Sequence, residues 1–155
     1  MVGRNSVDAN LRMRSATAGT APREGATGAR LTYERVVSRA ALVSLVGEFD
    51  IASRDALAQL IANVISDGPR YLIVDMTDVT FLDCGTIACL IRLRRDDHDF
   101  EVIFAGIHGV ARRAIDVLGF NEFFTGTPTL QSALRKVRPP ALPRGPGPMD
   151  QPVPA

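Results

Sequence analysis

Strand-like and helix-like stretches alternate through the middle of this chain, and that alternation constrains its fold more than any other feature. Residues 71–74 and 102–105 are continuous apolar runs, the pattern of strands buried on both faces of a sheet. Apolar residues recur at helical spacing within 53–68, 84–95 and 108–118. Strands separated by helices favour a mainly parallel sheet with right-handed crossovers.

Two further β-type runs, 31–36 and 42–46, precede this alternation and are separated by a short polar stretch. The pattern predicts a hairpin, which would add an edge strand to the sheet. A last, shorter helix is predicted over 129–137. The predicted order is β-β-α-β-α-β-α-(β)-α, a small α/β sandwich with a mixed, mainly parallel sheet and helices packed on it.

Some local predictions are more specific. Residues 75–81 are interpreted as a turn region between the central strand and the next helix. Ser53 and Asp83 are predicted as helix N-caps. In the helix over 108–118, four apolar residues are expected to face the sheet, namely Val110, Ala114, Val117 and Leu118.

Both ends of the chain have the composition of unpacked segments. Residues 1–30 are rich in small and polar residues, and 138–155 contain seven prolines. Neither end offers enough apolar surface to offset the entropy of ordering. We therefore expect a disordered arm over 1–30, one folded domain over 31–137 and an extended Pro-rich tail over 138–155.

The charge pattern argues against direct binding to nucleic acid or to membranes. Residues 31–137 carry 11 basic against 14 acidic side chains, so the predicted domain is mildly acidic. No apolar run approaches the roughly 20 residues that span a bilayer, and no signal peptide is visible. The two cysteines do not form a disulfide framework. We expect a cytoplasmic protein.

Metal and cofactor chemistry finds no support in the motifs. The two histidines, His98 and His108, are isolated from each other and form no ligand-spaced cluster with the cysteines. Neither of the glycine-rich phosphate-binding patterns occurs. No cofactor and no metal are therefore predicted.

The connection after the central strand is the strongest candidate for a working surface. Functional loops of open parallel sheets lie at the carboxyl ends of the strands, where Asp50 and Asp83 are both predicted. A helix that begins at Cys84–Gly85 would present free backbone N–H groups there. An acidic pair beside them would make added phosphate a decisive electrostatic change.

Three stretches in this order resemble STAS domains, in particular the anti-sigma factor antagonists. They read Leu45-Val46-Gly47-Glu48-Phe49-Asp50, Leu72-Ile73-Val74-Asp75-Met76 and Phe81-Leu82-Asp83-Cys84-Gly85-Thr86-Ile87. The resemblance covers about 31–137. It implies a protein that binds an anti-sigma factor of the serine-kinase type and so frees a sigma factor. It also implies phosphorylation by that kinase, reversal by a phosphatase, and no enzymatic activity of the antagonist itself.

The match departs from the family pattern where the phosphoacceptor is expected. That position falls on Gly85, which has no hydroxyl, while the aspartate falls on Asp83. The neighbouring hydroxyl of Thr86 is the candidate phosphoacceptor. Two interpretations stay open: phosphorylation of Thr86 switches binding, or binding is constitutive. The expected partner-binding residues are Asp50, Asp83, Cys84, Gly85 and Thr86.

Other functions are kept as alternatives. The chain could serve as a STAS accessory subunit of a membrane transporter or of a larger signalling assembly. Cys84 could instead act as a redox switch or as a catalytic nucleophile, because a thiol at a helix start is the more reactive kind. A catalytic thiol would need a base, for which His108 is the candidate.

Overall fold

The computed structural model describes residues 28–37, 39–96 and 99–138. The predicted arm, 1–30, and the predicted tail, 138–155, lie outside the described residues apart from those that border the domain. Within the described ranges, no helix is both long enough and apolar enough to cross a membrane.

The elements follow the predicted order. They are β1 (Arg30–Val37), β2 (Ala40–Phe49), α1 (Arg54–Asp67), β3 (Tyr71–Leu82), α2 (Cys84–Arg95), β4 (Glu101–Ala105), α3 (Gly109–Leu118), a 3₁₀ helix (Asn121–Phe124), β5 (Gly126–Thr127) and α4 (Leu130–Val137). Ser53 and Asp83 precede α1 and α2 as predicted, although Ser53 makes no side-chain cap to its helix.

The strands lie side by side in chain order, β1-β2-β3-β4-β5. β1 pairs antiparallel with β2, and every later pair of neighbours is parallel. The predicted mixed, mainly parallel sheet with an N-terminal hairpin is therefore confirmed. The larger core lies between the sheet and α1, α2 and α3, and a smaller one lies between the opposite face and α4.

The segment predicted as a turn over 75–81 is instead part of one long strand, β3. Ser44 pairs with Asp75 and Val46 with Asp78, so β3 has one extra residue there, and a second shift follows Gly47. Each extra residue moves the inward-facing position along by one. The buried residues of this stretch therefore recur at every third position, as Met76, Val79 and Leu82. A strand is recognised in a sequence by apolar residues at every second position, so this spacing does not identify the segment as a strand.

The predicted inward face of α3 is wrong for three of its four residues, since Ala114 alone of the four packs against the core. Ala111 and Ile115 are the buried residues of this helix, whereas Val110, Val117 and Leu118 are exposed. Residues on a helix advance by about 100° each, so Val110 and Val117 lie on a face beside that of Ala111 and Ile115, whereas Leu118 is exposed at the last position of the helix. Ala111 and Ile115 are one helical turn apart and together form the face that packs against the core.

Candidate functional site

The ends of β2 and β3 bring the predicted site residues together. Phe49 pairs with Leu82 in the last register position of the two strands. The backbone N–H of Asp83 donates to the carbonyl oxygen of Phe49 at 2.9 Å. The chain segments that begin at Asp50 and Asp83 therefore start side by side at the carboxyl edge of the sheet.

Asp83 links α2 to α1 through its two carboxylate oxygens. Its Oδ1 accepts a hydrogen bond from the backbone N–H of Thr86 at 2.7 Å, the N-cap contact that fixes the start of α2. Its Oδ2 accepts from Nη2 of Arg54 at 2.8 Å, and Arg54 is the first residue of α1. One side chain therefore sets the relative position of two helix N-termini.

These contacts also tune the acidity of Asp83. Partial burial alone would raise the pKa of the carboxyl group. The hydrogen bonds from Thr86 and Arg54 outweigh that effect and hold the pKa of Asp83 below its ordinary value. Asp83 is therefore a carboxylate at neutral pH, and its charge is already engaged within the protein.

Arg54 is the site residue that the sequence interpretation missed. An ideal Cβ built on Gly85 would lie 2.1 Å from Cζ and from Nη2 of Arg54. The guanidinium thus occupies the space that a side chain at position 85 would need. A cation in the first turn of a helix opposes the helix dipole, and this was the available signal that Arg54 has an anionic partner elsewhere.

Thr86 faces the interior. Its side chain is 0% exposed, and its hydroxyl donates to the carbonyl oxygen of Phe49 at 3.4 Å. The phosphoacceptor assignment for Thr86 stays a prediction. In the described conformation its hydroxyl must leave this buried position before a kinase can reach it. The same burial excludes the Thr86 side chain from direct contact with a partner in this conformation.

The loop between β2 and α1 is held by its own hydrogen bonds. Oδ1 of Asp50 accepts from the backbone N–H of Ala52 at 2.9 Å. The hydroxyl of Ser53 accepts from the Asp50 N–H and donates to the Asp50 carbonyl oxygen. Between these contacts the side chain of Ile51 is 74% exposed. The loop therefore presents an apolar side chain to solvent on a fixed backbone.

The two cysteines lie in different environments. Cys84 is exposed at the first position of α2, while Cys89 is half-buried and desolvation raises the pKa of its thiol. His108, the candidate base, has Nε2 at 2.7 Å from the Thr77 carbonyl oxygen. No hydrogen bond joins His108 to Cys84 in the described part of the chain.

Among the described residues, no three His, Cys, Asp or Glu side chains are grouped so that they could hold a metal ion.

Comparison with known proteins places this fold among named relatives. A family model described as the STAS domain matches residues 33–133. The anti-sigma-F factor antagonist RsfB of Mycobacterium tuberculosis is 31% identical over 101 residues, which cover 63% of this chain and 81% of RsfB.

Solved structures of similar proteins have the same architecture. An anti-sigma factor antagonist from Mycobacterium paratuberculosis superposes with a TM-score of 0.63 at 27% identity, over 76% of this chain and all of that one. The anti-sigma factor antagonist SpoIIAA in its unphosphorylated form superposes with a TM-score of 0.58 at 18% identity, over 70% of this chain and 96% of SpoIIAA. The likeness to SpoIIAA concerns the fold alone.

Proposed function

Because this chain belongs to the STAS domain family, we propose that it is an anti-sigma factor antagonist, which frees a sigma factor by binding an anti-sigma factor. The supporting relative is RsfB, which is named for that role. The supporting structural observation is the carboxyl edge of the sheet, where Asp83 connects β2, α1 and α2. We call residues 50–54 and 81–86 the docking surface.

The docking surface is organised before any partner arrives. The Phe49 carbonyl oxygen accepts from both Asp83 and Thr86, and the Asp50–Ser53 contacts fix the adjoining loop. Ile51, Phe81 and Cys84 are exposed on this fixed backbone. Preorganisation reduces the entropy lost on binding, which favours a surface that recognises another protein.

The partner that we propose is an anti-sigma factor of the serine-kinase type in the cytoplasm, with a phosphatase as its counterpart if phosphorylation occurs. We also propose that the chain has no catalysis of its own. The Asp83 carboxylate and the Thr86 hydroxyl, on either side of the exposed Cys84 in the sequence, are both used in contacts that hold the fold.

A binding assay tests the proposed function. Each kinase-type anti-sigma factor of the source organism, together with the anti-sigma-F factor of M. tuberculosis, is titrated with the full chain. Transcription by the matching sigma factor is then measured in vitro. We expect one member of this panel to bind and its sigma factor to be released.

The chain offers a matched pair of variants for this assay. Ile51→Asp changes an exposed apolar residue on the docking surface and is expected to weaken binding by about tenfold or more. Val117→Asp changes a residue that is 80% exposed near the end of α3, away from the carboxyl edge, and should leave binding unchanged. Equal effects of both variants, or co-purification with transporter subunits alone, would contradict the proposal.

A further inference from the structure

Within the docking surface, the guanidinium group of Arg54 occupies the space that a side chain at Gly85 would need. A Cβ on Gly85 would lie 2.1 Å from Cζ and Nη2 of Arg54 and 2.3 Å from Nε, far inside van der Waals contact. The φ angle of Gly85 is not positive, so its backbone is compatible with a side chain. The three atoms nearest to the added carbon all belong to the guanidinium group of Arg54.

The contacts of Arg54 explain why its guanidinium stays in that volume. Nη2 is 2.8 Å from Oδ2 of Asp83, which offsets the unfavourable position of a cation in the first turn of α1. Nε is buried and has no hydrogen-bond partner within the described residues. The side chain as a whole is still 40% exposed, so a docked partner can touch it.

We propose that Arg54 is the positioning residue of the docking surface: its guanidinium takes the place of a side chain at position 85, holds Asp83, and makes binding independent of phosphorylation at that position. This inference rests on the proposed function. It assigns to Arg54 a role that the family resemblance does not supply, because none of the three stretches that carry the resemblance contains Arg54.

The inference predicts that residues 54 and 85 act as a coupled pair. A side chain at position 85 can enter only if the guanidinium moves off Asp83. This movement is sterically easy, because the clashing atoms are the far end of a flexible side chain. Gly85→Ala and Arg54→Ala should therefore disturb the same contact, and the double variant should be no worse than either single variant.

The first experiment needs no partner. The Asp83 carboxyl is titrated by NMR in the wild type, Arg54→Ala, Gly85→Ala and the double variant. We expect both single variants to raise the pKa of Asp83 and the double variant to raise it no further. Arg54→Lys, which keeps the charge, should restore part of the wild-type value. An unchanged pKa in Gly85→Ala, or additive shifts in the double variant, would overturn the proposal.

The second experiment tests the link to phosphorylation with the anti-sigma factor that binds in the panel. The wild type and Arg54→Ala/Gly85→Ser are each incubated with that kinase and ATP, and their intact masses are measured. In the reaction, the γ-phosphoryl group of ATP moves to the introduced hydroxyl, which gives up its proton to the kinase, and ADP leaves. We expect the double variant alone to gain a phosphoryl group.

Outcomes of the two experiments separate the two proposals. A phosphoryl group on the wild type that leads to release of the partner would overturn the inference and leave the proposed function standing. Failure of every panel member to bind the wild type would count against the proposed function, while the NMR titration still decides the coupling of Arg54 and Gly85. Binding to Gly85→Ala as tight as to the wild type would also overturn the inference, because about a tenfold loss is expected.

Discussion

The hydroxyl of Thr86 donates to the carbonyl oxygen of Phe49 across the junction of β2 and α2. That carbonyl also accepts from the Asp83 N–H, so it has two donors from one helix start. Thr86 is thus built into the interior contact between a strand end and a helix start. We therefore expect substitutions of Thr86 to act mainly on the free energy of unfolding.

Two substitutions of Thr86 should distinguish the stability cost of losing its hydrogen bond from the cost of burying a charge. Thr86→Val keeps the volume and removes the bond, with an expected cost of about 1 kcal/mol in the free energy of unfolding. Thr86→Glu places a carboxylate where the side chain is 0% exposed and should cost about 3 kcal/mol or more. Urea unfolding measures both. A Thr86→Glu variant as stable as Thr86→Val would contradict the buried position.

The depressed pKa of Asp83 predicts a pH-dependent contribution to stability. Its folded-state pKa lies below the unfolded value, so the contribution is complete above about pH 4 and is lost as the pH falls through the folded pKa. Asp83→Asn keeps a good N-cap but loses the charge pair with Arg54. It should be less stable at pH 7, by at most about 1 kcal/mol since both side chains are partly exposed.

The difference in the free energy of unfolding between the wild type and Asp83→Asn should become smaller as the pH falls. Urea unfolding between pH 7 and pH 3 measures this difference. Asp55→Asn is the control, because it removes one exposed carboxylate from the first turn of the same helix that holds Arg54. A deficit of Asp83→Asn that is the same at every pH would show that the charge is not what Asp83 contributes.

Gly47 should not tolerate a side chain. Its φ angle is +93°, and a Cβ there would lie 2.4 Å from the carbonyl oxygen of Gly28. Backbone strain and a backbone clash act together, so Gly47→Ala should cost about 3 kcal/mol. Gly68→Ala is the matched control, since Gly68 has a φ angle of +55° but open space around the added carbon. It should cost only about 1 kcal/mol. Thermal and urea unfolding compare the two.

The orientation of α3 predicts which of its apolar residues carry stability. Ile115 is fully buried, so Ile115→Ala should cost about 2–5 kcal/mol. Val117 is exposed, so Val117→Asp should change the free energy of unfolding by no more than about 0.5 kcal/mol. If chemical denaturation ranked the two in the opposite order, the helix would have to present its other face to the sheet.

The two thiols should differ in reactivity. Cys84 is exposed, whereas Cys89 is half-buried with a raised thiol pKa. A maleimide or disulfide reagent at neutral pH should modify Cys84 first, and the labelling of Cys84→Ser should show only the slow phase. Peptide mapping identifies the labelled residue. A faster reaction at Cys89 would mean that the start of α2 is less exposed than described.

The sequence was most informative where local signals and apolar periodicity agree. Helix α2 was predicted over 84–95 and is found over Cys84–Arg95, because Asp83 caps its start and a stripe of buried residues marks its length. The hairpin and the parallel strands followed from the same agreement. Strand β3 was underestimated since its two extra residues depend on pairing with β2, which no local pattern reveals.

The sequence predicted where the site lies, but not which contacts its side chains make. Asp50 and Asp83 were expected at one edge and lie there. Thr86 was expected near the surface, although it precedes the buried Leu90 and Leu93 by four and seven residues and so belongs to their stripe. Arg54 was missed because its partner is a carboxylate 29 residues away, a pairing that only the folded chain creates.

The contacts that join the ends of β2 and β3 also constrain the order in which the chain can fold. The β1–β2 hairpin is local and can form early, whereas parallel pairing of β2 with β3 must close a loop that contains all of α1. The donors to the Phe49 carbonyl arrive only after that closure. A chain in which β2 and β3 have not yet paired therefore lacks a complete docking surface, and binding of an anti-sigma factor requires that this part of the sheet has formed.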